Sequence, residues 1–371
     1  MPSADQQPLP PVDRIPSDIV AADDYRQAAR RHLDDNAWAY LQGGAADELT
    51  LDDNVEAFRQ ISLLPQPLND VRGGHTRLKL FGRDYAHPIL LAPVAYQRLF
   101  HPAGEMATVL GAGAMQAGMV VSSLATCRLE EIAAQAEAPL WFQLYWQGSR
   151  AASLELVRRA EAAGYSVLVL TVDAAVFGVR NREQRAGFAL PAGIAAVNLA
   201  AAANAGLSAT AGANVFERLM TTAPHWDDVA WLVEHSRLPV VLKGILHPQD
   251  ARRAVEAGVQ GIVVSNHGGR TLDTTPASIN ILPAIKTVVG ADFPLLLDGG
   301  IRRGSDIFKA IALGASAVLV GRPYVHALAT AGALGVAHLL RLLREELEIT
   351  MALCGTRELA ALDAQFLLNP P

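Results

Sequence analysis

Eight short apolar runs recur along this chain, and a helical pattern follows each of them. The runs occupy residues 88–94 (PILLAPV), 118–124 (GMVVSSL), 140–145 (LWFQLY) and 166–173 (SVLVLTVD). They continue at 239–245 (PVVLKGI), 261–266 (GIVVSN), 294–300 (PLLLDGG) and 317–323 (AVLVGRP). Most are continuously apolar rather than alternating, the mark of parallel strands covered on both faces. Helical stretches at 104–117, 129–136, 151–163, 226–235, 248–257, 277–289 and 305–313 lie between them, and an amphipathic stretch at 335–354 comes last. Several stop at a glycine (Gly118, Gly164, Gly258, Gly290, Gly314), which is C-cap chemistry. Eight strand–helix units predict an α/β fold, a (β/α)8 TIM barrel. A doubly wound sheet fits less well, because no Gly-x-Gly-x-x-Gly follows the first strand.

The rest of the chain is arranged around that barrel, assigned to residues 88–371. Residues 1–20 are polar and proline-rich, without the apolar core of a signal peptide, and are expected to form a flexible arm. Residues 21–87 are expected to form a helical cover: one or two helices over 22–42, another near 48–60, and a hairpin or cover under the barrel. About seventy residues separate the fourth and fifth strands, where roughly twenty-five is usual. This insertion, taken as a mobile loop over 186–224, has no charged residue from Ala186 to Phe216. Its length would span a bilayer, but it is mostly alanine and glycine. Asn198, Asn204, Ser208, Thr210 and Asn214 also interrupt it, so no membrane span is expected. A long loop at the mouth of a barrel usually serves function.

Composition narrows the function classes. The chain has 371 residues, 51% hydrophobic and 18% charged, which disfavours disorder. A net charge of −6 argues against a general nucleic-acid binder. The two cysteines, Cys127 and Cys354, cannot build a disulfide framework or a zinc cluster. They are expected to be reduced, buried thiols of a cytoplasmic protein, and no metal site is expected.

Reacting groups of such barrels sit at the C-terminal strand ends. Here nearly every run ends in a polar group: Ser122, Gln143, Tyr145, Thr171, Asp173, Lys243, Ser265, His267, Asp298, Arg302 and Arg322. A packed core needs none of these, and each would cost about 1–3 kcal/mol if buried unpaired. The last two strands carry Asp298-Gly299-Gly300-Ile301-Arg302 and Gly321-Arg322, a glycine-and-arginine setting suited to phosphate. His267, in Ser-Asn-His-Gly-Gly-Arg270, is the candidate base, with Asp173 able to fix its tautomer from across the barrel. Arg180 and Arg270 are candidates to clamp a carboxylate. The Lys243 ammonium can face the lumen and meet an anionic ligand.

Taken together, these strand ends resemble the FMN-dependent L-2-hydroxy acid oxidase and dehydrogenase family, which includes glycolate oxidase, lactate oxidase and mandelate dehydrogenase. The likeness spans roughly residues 20–360 and is carried by 265–270, 142–145, 171–173, 241–244 and 298–302. The stretches 92–96 and 101–105 are most similar to hydroxymandelate oxidases. The resemblance implies FMN as cofactor. Pro93, Val94 and Ala95 would line it, and Ser122, Gln143 and Thr171 would bond its pyrimidine edge. Lys243 and Ser265 would contact it too, while Asp298, Gly299, Gly300, Arg302, Gly321 and Arg322 would hold its ribityl phosphate. Tyr40, Tyr145, Arg180 and Arg270 would bind the substrate, beside Leu124. His267 would be the base, oriented by Asp173, with Tyr145 and Arg270 in the catalytic set.

The implied reaction is oxidation of an L-2-hydroxy acid, lactate- or mandelate-type, to the 2-oxo acid with O2 reduced to hydrogen peroxide. Ala95 favours O2, since several relatives that react slowly with oxygen have glycine there. Leu124 stands where glycolate oxidase has a bulky aromatic, which leans toward larger side chains while leaving lactate open. The family also implies a homo-oligomer, a tetramer. Three other readings stand beside this one. They are a dehydrogenase passing electrons to a quinone or cytochrome, a non-catalytic flavin-binding barrel, and an FMN barrel isomerising a diphosphate.

Overall fold

The computed structural model describes residues 7–199, 215–218, 220 and 222–371, so much of the expected mobile loop over 186–224 lies outside the described residues. Eight parallel strands close into one barrel: β1 (Ile89–Leu91), β2 (Gly118–Ser122), β3 (Leu140–Leu144), β4 (Val167–Thr171), β5 (Val240–Ile245), β6 (Gly261–Val264), β7 (Leu295–Asp298) and β8 (Ala317–Val320). Each strand pairs with the next in sequence, and Val318 beside Ile89 closes the ring. All eight lie within the expected runs, and the predicted (β/α)8 fold is the one observed.

Alternation along these strands builds two cores. Ile89, Leu91, Met119, Val121, Phe142, Leu168 and Leu170 face outward into the surrounding helices. Leu90, Val120, Trp141, Val169, Val263 and Leu296 fill the lumen. Both sets are fully buried, which is why the strands read as unbroken apolar runs. A hairpin of Leu78–Leu80 and Arg83–Tyr85 plugs the lower end. Its Phe81 ring meets Trp141 edge-on at 5.4 Å, and the Trp141 indole N–H donates to the Tyr85 hydroxyl at 2.9 Å. The barrel is therefore sealed below by the hairpin.

The cover comprises helices Ala22–Ala29, Asp35–Gln42 and Leu49–Gln60. Asp34 caps the second by accepting from the Ala37 N–H at 2.7 Å, satisfying a donor the helix start leaves free. The third docks beside the mouth, where Asn54 and Asn266 exchange amide hydrogen bonds at 2.9 and 2.8 Å. Residues 7–20, expected as a flexible arm, instead run along the body: the Leu9 N–H reaches Arg31 O and the Val12 N–H reaches Thr330 O.

Two features differ from the expectation. The last helix begins at Arg322, directly after β8, and not at residue 335; it runs to Cys354 and breaks at Ala331 and Gly332. Pro323 in its first turn suits a helix start, where no amide hydrogen is needed. By length and composition this helix could cross a membrane, but it is mostly buried inside the molecule. The second feature is a short antiparallel pairing of Ser62–Leu63 with Leu367–Leu368, which ties the chain's end to the cover.

Candidate active site

The strand ends open into a cavity of about 650 Å³ at the C-terminal mouth. That size suits a small-molecule or cofactor site. His267 enters it from the loop after β6. The residue takes a left-handed backbone (φ 59°), followed by Gly268 and Gly269 at 62° and 74°. Gly269 is required there, since a Cβ would stand 2.6 Å from the Leu51 amide nitrogen.

His267 Nδ1 lies 2.8 Å from Asp173 Oδ1, two residues past the end of β4. Asp173 accepts, so the ring proton sits on Nδ1 and the Nε2 lone pair faces the Tyr145 hydroxyl at 3.4 Å. Burial lowers the His267 pKa below its ordinary value; Asp173 opposes this in part and Lys243 adds to it. The imidazole is thus neutral and ready to accept a proton. Burial pushes the Asp173 carboxyl up, but His267 and Lys243 outweigh it and hold the group below the usual carboxylate range.

Lys243 is 3% exposed, so its charge must be compensated inside the barrel. Its ammonium lies 3.2 Å from Asp298 Oδ2 and donates to Ser265 Oγ at 3.0 Å. Burial disfavours the ammonium, but Asp298 and Asp173 hold its pKa above the ordinary value. Ser265 Oγ also accepts from the His267 N–H at 3.0 Å, which ties the lysine to the histidine loop.

Arg180 and Arg270 converge from two loops. The Arg270 guanidinium donates to the carbonyls of Tyr40 and Gly43, each at 2.7 Å, and lies 5.0 Å over the Tyr40 ring. Glu183 bridges the arginines: its Oε1 is 3.3 Å from Arg180 Nη1 and 3.1 Å from Arg270 Nη2. Burial, then the Arg180 charge, lowers the Arg270 pKa. Phe188 stacks on Tyr40 at 4.7 Å. Beyond it Ile194, Ala196 and Leu199 pack with Tyr96 and Leu124, roofing the apolar side of the site.

Arg302, Arg322 and Gly321 also line the cavity. Arg322 donates to the carbonyls of Leu41, Gly268 and Gly43. Its pKa falls well below the ordinary value through burial and the nearby Arg270 and Arg302.

Of the sequence-predicted site residues, Tyr40, Pro93, Val94, Ala95, Ser122, Leu124, Tyr145, Thr171, Arg180, Lys243, His267, Arg270, Asp298, Gly299, Gly300, Arg302, Gly321 and Arg322 line the cavity. Gln143, Ser265 and Asp173 stand behind its wall. The Gln143 amide is engaged by neighbouring strand ends, accepting from Ser122 Oγ and donating to Thr171 Oγ1 at 3.0 Å each. Gly299 and Gly300 have a second reason to be glycine: Asn54 and Phe58 of the cover occupy the space their side chains would take. Glu183 and Phe188 were not anticipated, whereas Tyr96 lies in the strand-end stretch 92–96 already singled out and lines the cavity. The one sequence signal for Glu183 is its position three residues after Arg180 on the helix Asn181–Arg185.

These residues fit the FMN that the sequence resemblance implies. Four arginines line one cavity, and among the described residues the buried Asp298 Oδ1 and Arg180 Nε have no hydrogen-bond partner. A set this rich in cations calls for anionic ligands, and it has a polar wall at Ser122, Thr171 and Lys243 for a planar heterocycle.

The comparisons agree with that chemistry. A family model described as FMN-dependent dehydrogenase matches residues 29–369. An L-lactate oxidase of Alicycliphilus denitrificans is 51% identical over 354 residues, covering 95% of this chain and 97% of the relative. A 4-hydroxymandelate oxidase of Amycolatopsis orientalis is 46% identical over 347 residues, covering 92% and 96%. A solved mandelate oxidase with benzoyl-formic acid matches with a TM-score of 0.85 at 44% identity, covering 94% of this chain and 98% of that one.

Proposed function

This chain belongs to the FMN-dependent dehydrogenase family, and we propose that its barrel mouth oxidises an L-2-hydroxy acid to the 2-oxo acid, with O2 as the electron acceptor. The observation that carries this reading is the convergence of His267, Arg180 and Arg270 on one cavity. FMN, when bound, would supply the two-electron sink that links oxidation of the substrate to reduction of O2 to hydrogen peroxide. Pro93, Val94, Ala95, Ser122, Thr171 and Lys243 would hold its ring system. Asp298, Gly299, Gly300, Arg302, Gly321 and Arg322 would hold its chain and phosphate, with Gln143 and Ser265 bracing the wall.

The chain's own residues do the rest. Arg180 and Arg270 bind the substrate carboxylate, and Tyr40 braces the second of them. The Tyr145 hydroxyl, beside His267 Nε2, orients the substrate hydroxyl. His267 takes a proton at Nε2, and Asp173 at Nδ1 stabilises the imidazolium that results. A positioned base of this kind contributes roughly 10²–10⁴-fold. The cluster of Leu124, Tyr96 and Ala196 accepts an apolar side chain, lactate- or mandelate-type. Phe188 and the roof behind it exclude water, which strengthens every charge interaction beneath.

The test is anaerobic bleaching of the flavin by a panel of L- and D-2-hydroxy acids, followed by peroxide assay in air. Bleaching by L acids with stoichiometric peroxide is expected. No bleaching by any L acid defeats the reading. Bleaching without peroxide moves the electrons to another acceptor, such as a quinone or cytochrome.

A further inference from the structure

The clamp proposed for the substrate carboxylate already contains a carboxylate. Glu183 Oε1 contacts both guanidiniums, and Oε2 adds a second contact to Arg180 Nη1 at 3.5 Å. Among the described residues, neither arginine has another acidic side chain within ion-pair distance. The three side chains are 12–15% exposed, so solvent screens their charges little. Within the clamp itself, two cations and one anion leave a single positive charge, beside Arg322, which shares the Gly43 carbonyl with Arg270. Among the described residues, the buried Arg180 Nε has no acceptor.

The position of Glu183 is built, not incidental. The short helix Asn181–Arg185 carries it three residues after Arg180. Its backbone carbonyl accepts from the Phe188 N–H at 2.9 Å. Phe188 stacks on Tyr40, and Tyr40 lies beneath Arg270. The glutamate is thus held in a closed circuit with the arginine it neutralises.

We propose that Glu183 is a positioning and affinity-setting residue: a resident counterion that fixes the clamp at one net positive charge. That charge matches one substrate carboxylate and limits the grip on the equally anionic 2-oxo acid product, so that the product can leave. Without Glu183 the two guanidiniums repel each other until an external carboxylate arrives. The external carboxylate then gains the attraction that Glu183 now takes. The inference rests on the carboxylate-binding role given to Arg180 and Arg270 above.

The test is a charge ladder read by equilibrium binding. Purified FMN-loaded wild type, Glu183→Gln, Arg180→Met and the double variant are titrated with pyruvate and benzoylformate, following the flavin absorbance. Net clamp charge is one in the wild type, two in Glu183→Gln, zero in Arg180→Met and one again in the double variant. Glu183→Gln is expected to bind the 2-oxo acids about tenfold more tightly and to lower KM and kcat together. Arg180→Met weakens binding, and adding Glu183→Gln to it recovers about tenfold of the loss. Glu183→Asp, which keeps the charge, stays within about threefold of wild type and serves if the glutamine variant does not fold. If Glu183→Gln weakens binding and the double variant is no better than Arg180→Met, Glu183 is only a brace and the proposal fails. The ladder needs no turnover. A wild type that follows it but is bleached by no 2-hydroxy acid would refute the reaction and leave the counterion standing.

Discussion

A Cβ placed on Gly244 would stand 2.5 Å from Asp173 Cβ. The missing side chain at the end of β5 is therefore what lets the carboxylate beyond β4 reach His267. Gly244 also has φ 109°, where an L side chain is strained. Gly244→Ala is expected to push Asp173 away from His267 Nδ1 and slow flavin reduction about 100-fold, the scale of a 1 Å misplacement. FMN content, measured by absorbance after gel filtration, should remain near one per chain. Stopped-flow reduction at the wild-type rate would show that the close packing does not position Asp173.

The pH dependence follows from the same pair. His267 must be neutral to accept a proton, and burial holds its pKa below the ordinary value. The rate of flavin reduction should therefore rise with pH along an acid limb centred below about 6.5. Asp173 raises the His267 pKa, so Asp173→Asn should move the limb further toward acid. The same change should cut the plateau roughly 10²–10⁴-fold, because the imidazolium loses its counterion. A limb that stays in place in the kcat/KM profile would separate Asp173 from the titration of His267.

Much of this arrangement was legible in the chain, for identifiable reasons. Parallel strands buried on both faces leave unbroken apolar runs, so all eight appeared. Polar residues at the ends of such runs have to face the mouth, which placed His267, Lys243 and Asp298 together. Glu183 was not legible, because its meaning depends on two arginines from separate loops meeting at one point. The start of the last helix was hidden because Gly321, Arg322 and Pro323 read equally well as a strand end. The pairing of Ser62–Leu63 with Leu367–Leu368 is too short to leave a periodic signal. Gln143 was placed at the right strand end, but its amide is engaged by Ser122 and Thr171 behind the wall.

Lys243 and Asp298 form a buried ion pair of the site, their side chains 4% and 9% exposed. Removing one partner of such a pair leaves the other charge uncompensated, at a cost of about 3–5 kcal/mol. Lys243→Met should accordingly lower the melting temperature of the FMN-free protein. Lys243→Met/Asp298→Asn should melt higher than Lys243→Met, because the stranded carboxylate is gone. Equal melting temperatures for the two variants in differential scanning calorimetry would mean that the pair is not coupled in stability.

Leu124 is buried between Tyr96 and Ala196 at the apolar side of the site, next to Tyr145. An indole there would take up space that the substrate side chain needs. Leu124→Trp should lower kcat/KM for (S)-mandelate about 100-fold, because a phenyl ring must displace the new side chain. For L-lactate, whose methyl group needs little room, the loss should stay under about tenfold. The selectivity ratio is the informative quantity, since general damage to the barrel lowers both values together. An unchanged ratio would place the substrate side chain away from Leu124 and the roof formed by Ile194, Ala196 and Leu199.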